Sequence, residues 1–253
     1  MKRAFITGAS SGIGEALARL LASKGYMLIL TARNRQKLEA LANELHAEEF
    51  LIADLSKQEE RRQLIAKIRE KIPELIVNNA GFGIYGDVMT LSVEEQLSIL
   101  EVNGAATLEV TVEAARALIE AKKKGVIMNI SSVAGEYPCP GMSVYGASKA
   151  FLTSLSRGLN TELASRGIDV LVSCPGMVAT EFANRAAKKT VMASGGPVLS
   201  SRFAAEQIWR QIEKRKEKQI FNWQYRLASW SAKYLVPTLL VKKLIWNQIK
   251  QRI

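Results

Sequence analysis

Short apolar runs alternate along the chain with longer stretches in which apolar residues recur every three or four positions. The short runs are AFIT, MLILTAR, FLIADL, ELIVNNAG, VIMNISS and DVLVSCPG, with a last one within QIFNW. The helix-period stretches between them include Gly12 to Gly25, Val93 to Lys122 and a segment that opens near Tyr145. This alternation predicts an α/β fold in which parallel strands are joined by helices. We expect about seven parallel strands, with helices on both faces and the ligand site beyond the carboxyl ends of the strands.

The length of the chain favours a single domain. Its 253 residues, 48% of them hydrophobic, are enough to bury a full core. We assign residues 1–221 to this domain and residues 222–253 to a C-terminal extension that is not a separate domain. The longest irregular region covers residues 180–200, and a loop of that length is usually either a lid or a disordered segment.

Compartment and metal content can be addressed from a few residues. Residues 1–3, MKR, lead directly into a strand-like run without the features of a signal peptide, so we expect a cytoplasmic protein. Cys139 and Cys174 have neither CxxC nor metal-ligand spacing and are expected to be thiols. The single histidine, His46, is expected at the surface. No cluster of ligand residues indicates a metal site.

The positive charge is concentrated at the C-terminal end. The net charge is +11, and residues 206–253 hold eleven basic residues against three glutamates, a net of +8. The extension 222–253 contains three of the four tryptophans, six basic residues and no acidic residue. Two alternatives follow: contact with a membrane interface, or packing on the body or on another subunit over the substrate cleft. No motif supports nucleic-acid binding.

The extension has further limits as a membrane segment. Its longest apolar stretch is well short of the about 20 residues that span a bilayer. Its helical stripe is also imperfect: Leu240, Val241, Leu244, Ile245 and Ile249 lie on it, and so does Arg252.

Three glycines suggest a phosphate site. Gly8, Gly12 and Gly14 follow a predicted strand and open a helix. A bare backbone and the free N–H groups of the helix N-terminus suit a pyrophosphate, although the same glycines could serve a tight turn without a ligand. The second strand ends in Ala32 and Arg33. With no carboxylate there for the ribose hydroxyls and a guanidinium available for a 2′-phosphate, the sequence favours NADP(H) over NAD.

The order of several motifs resembles the short-chain dehydrogenase/reductase family. They are TGASSGIG at 7–14, NNAG at 78–81, Ser132, YGASK at 145–149 and CPG at 174–176, and the resemblance covers residues 1–221. It implies a Rossmann-type domain whose lid covers residues 180–200. It also implies cofactor contacts at Gly8, Ser10, Ser11, Gly12, Ile13, Gly14, Arg33, Asp54, Asn79, Ala80, Gly81, Tyr145, Lys149, Pro175, Gly176 and Thr180. For Asp54, a role as a turn or helix-capping residue is the alternative.

The resemblance also implies a catalytic tetrad of Asn103, Ser132, Tyr145 and Lys149. Tyr145 and Lys149 are four residues apart, so they share one helix face. A phenol with a pKa of about 10 becomes a general acid or base near neutrality if the Lys149 ammonium and an oxidised nicotinamide stabilise its phenolate by roughly 4 kcal/mol. Ser132 would hold the substrate carbonyl, and we prefer it to Ser131 because its thirteen-residue spacing to Tyr145 matches the family. Asn103 would hold a water that links Lys149 to solvent, or it is a residue of a kinked or capped helix.

The expected substrate pocket is largely apolar. Ser132 and Tyr145 would be joined there by Phe82, Tyr85, Tyr137, Met142, Met177 and Phe182. This set favours a hydrophobic ketone, aldehyde or 3-oxoacyl compound, which would connect the protein with lipid metabolism. Arg185, Lys188 and Lys189 either meet an anionic group, such as the phosphates of a thioester carrier, or are simply solvated.

The function expected from these residues is that of an NADPH-dependent carbonyl reductase or alcohol dehydrogenase. The alternative is an NADP(H)-binding sensor or scaffold, associated with a membrane or partner, whose catalysis is incidental. By analogy with the family, a homodimer or homotetramer would form through the helices within 93–122 and 145–166.

Overall fold

The protein is described by a computed structural model that covers residues 2–187 and 197–234. Lys188, Lys189 and the stripe predicted over residues 240–249 lie outside these ranges. In the last helix within these ranges the backbone is described as far as Tyr234 and the side chains as far as Ser231.

Seven parallel strands form one sheet, as the sequence predicts. The strands are β1 Arg3–Thr7, β2 Met27–Ala32, β3 Glu49–Ile52, β4 Leu75–Asn78, β5 Gly125–Ile130, β6 Ile168–Ser173 and β7 Lys218–Gln219. Their order across the sheet is β3-β2-β1-β4-β5-β6-β7. The direction of winding reverses between β1 and β4, and a crevice for ligands opens beyond the carboxyl ends of strands at such a point.

The helices cover both faces of this sheet. They are α1 Gly12–Ser23, α2 Arg35–Glu44, α3 Gln58–Lys71, α4 Val93–Leu100, α5 Thr107–Glu120, α6 Ser143–Leu163, α7 Phe182–Ala187, α8 Ser201–Glu213 and α9 Trp223–Tyr234. Strand β1 shows how the two cores arise: Ala4 and Ile6 point to the core formed with α1 and α8, whereas Phe5 points to the core formed with α3 and α5. Because both faces of such a strand are buried, its sequence is a continuous apolar run.

The stretch predicted as one long helix over 93–122 is interrupted. Helix α4 begins at a capping box made by Ser92 and Glu95, and a π-helical segment over Glu101–Ala106 separates α4 from α5. Such wide turns break the regular hydrogen-bond ladder and often lie at functional sites. Here the wide turn contains Asn103, whose side chain is fully buried.

The last strand differs from its predicted position within QIFNW. Only Lys218 and Gln219 pair with β6, opposite Val172 and Ser173. Phe221, which the prediction placed in the strand, instead turns into the core beside α8. Strand β7 lies at the edge of the sheet and pairs with β6 alone. Its pairing ends after two residues, and the chain then turns into the core.

Beneath the crevice, β4 and β5 are joined by buried side-chain amides. Asn78 donates to Asn129 Oδ1 at 2.9 Å and to Thr111 Oγ1 at 3.0 Å, and Asn129 donates to Ser156 Oγ at 2.9 Å. A fully satisfied buried network of this kind fixes the relative positions of the elements it joins. It therefore locks α5 and α6 onto the strands that carry the site. No helix within residues 2–187 and 197–234 is long and apolar enough to cross a bilayer.

Candidate active site

A single long cleft of about 1040 Å³ runs along the carboxyl ends of the strands, from the glycine turn to helix α9. It brings together residues that are widely separated in sequence. Of the site residues named from the sequence, all line this cleft except Gly14 and Asn103.

The glycine turn is shaped by close contact with the end of β4. Gly8 and Gly12 have φ angles of +66° and +61°, which L side chains rarely adopt. The Asn79 side-chain amide donates to the carbonyl oxygens of Thr7 and Gly8 at 3.0 and 3.1 Å. The Thr7 hydroxyl in turn accepts from the N–H groups of Asn79 and Ala80. The side chain of Asn79 thus holds the turn in place.

Gly14 is not among the residues that line the cleft, and its contact with a cofactor stays a prediction. A Cβ at this position would lie 2.3 Å from the Gly8 carbonyl oxygen and 2.5 Å from Asn79 Nδ2. Gly14 is required because the first turn of α1 packs directly against the backbone of the glycine turn.

The residues of the turn fit a dinucleotide pyrophosphate. Ser11 is the N-cap of α1, yet its side chain makes no capping hydrogen bond to the helix. The first N–H groups of α1 therefore have no side-chain cap, and bare glycine backbone lies beside them. This is the arrangement that binds phosphate at a helix N-terminus.

The adenosine end of the cleft contains Arg33 and Asp54. The Arg33 guanidinium is well exposed and lies 3.9 Å from an Asp54 carboxylate oxygen. Burial raises the pKa of Asp54, but hydrogen bonds from the backbone and hydroxyl of Ser56, with the charges of Arg33 and Lys57, outweigh burial and leave the pKa lowered. Asp54 therefore lines the cleft and also acts as the turn residue considered as its alternative.

The first part of the predicted lid reaches across to the glycine turn. Arg185 of α7 donates to Ser11 Oγ at 2.9 Å. Glu181 pairs with Arg185 and with Lys37 of α2, both at 2.9 Å. Thr180 accepts a hydrogen bond from Phe182 N and lies against Gly12. Arg185 thus reaches the glycine-turn end of the cleft while its side chain remains exposed, in agreement with the alternative of a solvated cation.

Tyr145, Lys149 and Ser132 form the middle of the cleft. Lys149 Nζ donates to the Ile130 carbonyl oxygen at 2.9 Å and lies 5.7 Å from the centroid of the Tyr145 ring. Ser132 follows β5 in an extended conformation, and its hydroxyl accepts from Ala134 N at 3.1 Å. Both Tyr145 and Lys149 are almost fully buried. The cleft therefore presents two hydroxyls with an ammonium behind them.

Burial controls the ionisation of this group. It raises the pKa of Tyr145, although a hydrogen bond with Ser132 acts in the opposite direction. It lowers the pKa of Lys149 to about 8. In the protein alone, burial favours the neutral phenol of Tyr145, the form that donates a proton. The expected shift toward phenolate also requires an oxidised nicotinamide and stays a prediction.

Ser131 has a different role from Ser132. Its hydroxyl is buried, donates to the Lys149 carbonyl oxygen at 2.8 Å and contacts Thr153 Oγ1 at 2.8 Å. It therefore joins β5 to α6, whereas Ser132 lies beside Tyr145. This geometry favours Ser132 for contact with a substrate.

Asn103 lies behind the cleft. Its amide group exchanges hydrogen bonds with both the N–H and the C=O of Phe82, at 3.0 and 2.9 Å, and donates to Ser148 Oγ at 3.0 Å. These side-chain contacts fix the exit of β4 against α6. Asn103 lies in a π-helical segment, which matches the alternative of a residue in a distorted helix. Its amide oxygen accepts one hydrogen bond, from Phe82 N, and has a second acceptor site, so the water that links Lys149 to solvent stays a prediction.

The other half of the cleft is apolar. Met142, Tyr145 and Ala186 are buried in one cluster, with Phe82 and Phe182 packed against it. The Phe182 ring lies 5.3 Å from that of Tyr145, centroid to centroid. Tyr85, Tyr137 and Met177 line the same cleft. A substrate that reaches Tyr145 therefore meets mainly carbon atoms.

Tyr225 is the site residue that sequence reasoning missed. It projects from α9 into the cleft, where its hydroxyl accepts from Met177 N at 3.2 Å and donates to the Pro197 carbonyl oxygen at 2.9 Å. No motif marks it. The only sequence signal is a chain that continues beyond the last strand, for which packing over the cleft was one of the two alternatives.

The two cysteines lie near this half of the cleft and do not form a disulfide. Cys139 lines the cleft, whereas Cys174 is buried, and burial raises the pKa of its thiol to about 11. Within residues 2–187 and 197–234, no group of three or more His, Cys, Asp or Glu side chains is placed to hold a metal ion.

Sequence comparison identifies relatives across most of the chain. The family described as short chain dehydrogenase matches residues 2–191. Serine 3-dehydrogenase of Agrobacterium fabrum is 32% identical over 228 residues, which cover 88% of this chain and 86% of that protein. Hydroxysteroid dehydrogenase-like protein 1 of Gallus gallus is 36% identical over 187 residues, 71% of this chain and 56% of that protein.

Solved structures give a consistent result. A short-chain dehydrogenase from Sphingobium yanoikuyae in complex with NADPH superposes with a TM-score of 0.84 at 31% identity, covering 92% of this chain and 93% of that one. The bulky-bulky ketone specific alcohol dehydrogenase from Comamonas testosteroni superposes with a TM-score of 0.77 at 27% identity, covering 99% and 92%.

The contact between Gly14 and Gly8 can be tested with Gly14→Ala. The added methyl group would overlap the Gly8 carbonyl oxygen, so the turn must shift. We expect a loss of about 1–3 kcal/mol in the free energy of unfolding, the usual cost of overpacking, together with weaker dinucleotide binding. Chemical denaturation and fluorescence titration measure the two effects.

Gly158→Ala is the matched control. Gly158 also lies within a helix, α6, but nothing lies within 4 Å of the position its Cβ would occupy. Alanine should stabilise the protein there by up to about 1 kcal/mol, with dinucleotide affinity unchanged. If Gly14→Ala and Gly158→Ala had equal effects on stability and on dinucleotide affinity, the close contact at Gly14 would have no role in either property.

Proposed function

Since the chain belongs to the short-chain dehydrogenase/reductase family, we propose that it is an NADPH-dependent carbonyl reductase for hydrophobic ketones, aldehydes or 3-oxoacyl compounds. That it is an oxidoreductase with a nicotinamide cofactor follows from the family. The cofactor preference, direction and substrate class are the proposal.

One observation supports the proposal most strongly: the neutral Tyr145 phenol lies between the glycine turn and an apolar pocket. Ser132 lies beside Tyr145, and the Lys149 ammonium is fixed behind the phenol ring. A substrate carbonyl in the apolar half of the cleft can therefore meet two hydroxyl donors at once. This arrangement polarises the carbonyl and keeps a proton ready for the oxygen.

The residues of the chain divide the remaining work of the reduction. When bound, the dinucleotide supplies the hydride that reaches the carbonyl carbon. Ser132 and Tyr145 orient the carbonyl oxygen, and Tyr145 donates its phenolic proton to that oxygen as negative charge develops there. Lys149 then returns a proton toward Tyr145. Phe182 packs against the Tyr145 ring and helps exclude water from the reacting atoms.

NADPH is favoured by the charges at the adenosine end. The strand β2 ends in Ala32, so no carboxylate stands there for the ribose hydroxyls, and the exposed Arg33 is next in the chain. A guanidinium matches a 2′-phosphate through charge-assisted hydrogen bonds. The Sphingobium relative that superposes well was solved with NADPH.

An apolar substrate is favoured by the surroundings of Tyr145. A polar amino acid such as serine, named for the Agrobacterium relative, would need charged partners beside the reacting carbon. In this chain the side chains clustered with Tyr145 include Phe82, Met142 and Phe182. The Comamonas enzyme that superposes over nearly the whole chain is specific for bulky-bulky ketones, which agrees with an apolar pocket.

A homodimer or homotetramer completes the proposal. Leu100 of α4, Leu108 of α5 and Phe151 of α6 are all exposed large apolar residues. Exposed apolar residues on neighbouring helices are typical of a subunit interface. They lie within the helical segments that family analogy assigns to oligomer contacts.

Tyr145→Phe tests the chemistry. Removal of the phenolic proton should lower kcat for carbonyl reduction by about 10²- to 10⁴-fold, the range for a general acid, whereas NADPH should still bind because the glycine turn and Arg33 are unchanged. Turnover of a panel of ketones, aldehydes and 3-oxoacyl thioesters measures this loss.

Tyr26→Phe, where the ring packs on Trp209 away from the cleft, is the control. A Tyr145→Phe protein that still reduces substrate at the parent rate excludes the mechanism, and a parent that binds NADPH without turning over any of the panel favours a sensor.

Arg33→Gln tests the cofactor preference. Loss of hydrogen bonds worth about 1.5–3 kcal/mol should weaken NADPH binding by about 10- to 150-fold, with little effect on NADH, which has no 2′-phosphate. The ratio of the two dissociation constants is the measurement. Arg62→Gln changes a similarly exposed arginine on α3 and should leave the ratio unchanged. A parent enzyme that binds both cofactors equally would contradict the preference.

The pKa of Lys149 predicts how activity depends on pH. Burial lowers this pKa to about 8, so the ammonium is present below pH 8 and is lost as the pH rises above it. Because reduction consumes a proton that Lys149 must resupply, kcat for reduction should fall as pH rises through about 8. A profile from pH 6 to 10, with circular dichroism at each pH to monitor folding, measures this. A kcat that stays level to pH 10 would disprove the role of Lys149.

A further inference from the structure

Helix α9 presents its apolar side to solvent. Trp223, Leu227 and Trp230 are 62%, 54% and 52% exposed and follow the i, i+4, i+7 spacing of one helix face. We call these three residues the α9 stripe. The opposite face carries Tyr225, which enters the cleft, and the buried Ser229. A surface helix normally buries its apolar stripe against the core, so this orientation is the reverse of the usual one.

The orientation of α9 is fixed by Tyr225. The hydroxyl of Tyr225 bonds to Met177 N and to the Pro197 carbonyl oxygen, while its ring lies so close to Gly176 that a Cβ there would be 2.1 Å from it. These contacts hold the inner face of α9 on the body. They therefore leave the stripe pointing outward.

The charged residues that accompany the stripe in the sequence are all basic. Arg226 lies exposed on α9. After Glu217 the sequence contains no acidic residue up to its last position, and residues 222–253 include six basic residues. Tryptophan and leucine on one helix face with flanking cations are the pattern of a helix that lies in a lipid interface, where cations are attracted to anionic headgroups.

We propose that α9 docks through Trp223, Leu227 and Trp230 on an anionic lipid surface, and that Tyr225 thereby places the mouth of the substrate cleft at that surface. A second copy of this chain suits the stripe less well, because a two-fold interface would bring the exposed Arg226 of each copy close to the same patch.

Docking would affect how substrate reaches the cleft. Val198 is exposed, lines the cleft and follows the Pro197 that Tyr225 contacts. The cleft wall therefore continues to the side of the molecule that carries α9. This effect on substrate entry rests on the proposed function, because it requires an apolar substrate that concentrates in the lipid. The docking of α9 on the lipid surface does not depend on the proposed function.

Vesicle flotation tests the docking without using turnover. The full-length protein is mixed with vesicles of phosphatidylcholine and phosphatidylglycerol in equal parts, or of phosphatidylcholine alone. We expect flotation with the anionic vesicles and little with the neutral ones. Burial of one large apolar side chain is worth about 1.5–3 kcal/mol, so Leu227→Gln should weaken the binding about tenfold or more.

The matched control is Leu97→Gln on α4, where the leucine is 53% exposed. It should float like the parent, and size exclusion shows whether either variant changes the oligomeric state. Arg226→Gln should also weaken flotation, whereas Arg62→Gln should not. NADPH binding and thermal unfolding confirm that each variant is folded.

Three results would overturn the proposal. The first is a parent that does not float with anionic vesicles, and the second is equal loss for Leu227→Gln and Leu97→Gln. The third is a protein that fails to float and whose oligomer dissociates on Leu227→Gln, which would identify the stripe as a subunit interface. None of these results depends on whether the protein reduces a carbonyl, so failure of the docking and failure of the proposed reaction can be distinguished.

Discussion

The geometry of the site depends on the contact between the ends of β1 and β4. Here main-chain atoms of the glycine turn lie against Asn79 and Ala80 with no room for a side chain. The Thr7 hydroxyl and the Asn79 amide satisfy the backbone groups that this approach would otherwise leave unpaired. Strand β1 leads into the glycine turn, and strand β4 leads into the segment beside the Tyr145 phenol. The contact between the two strand ends therefore sets the distance between the cofactor and catalytic halves of the cleft.

Low polarity in the catalytic half has two consequences. The apolar side chains around Tyr145 raise the pKa of its phenol, and the same burial lowers the pKa of Lys149. Both groups are therefore moved toward their neutral forms. The same side chains provide the surface that an apolar substrate would contact. In the proposed reaction, substrate choice and proton transfer would thus depend on the same residues, and a change that makes this pocket more polar would alter both.

The sequence predicts the parallel sheet and most of the residues that line the cleft, because both are encoded locally. A strand buried on two faces must be a continuous apolar run, and a backbone at positive φ favours glycine, as at Gly8 and Gly12. Local sequence patterns do not determine the positions that depend on contacts with distant parts of the chain. The pairing of β7 ends early because Phe221 enters the core. Gly14 contacts the backbone of Gly8 instead of the cleft, and the place of Asn103 depends on a π-helical turn. Tyr225 is the clearest case, since its partners lie 48 and 28 residues away along the chain.

The contacts of Tyr225 also bear on how the enzyme could evolve. The Tyr225 hydroxyl bonds to Met177, which precedes the predicted lid over residues 180–200, and to Pro197 near the end of that lid. Fixing the two ends of a loop removes much of the entropy that its closure costs. Positions between the two anchors that make no contact with the cleft can then accept substitutions while the attachment points stay the same. New selectivities could arise at such positions without loss of the sheet or of Tyr145 and Lys149, provided that Tyr225 is kept.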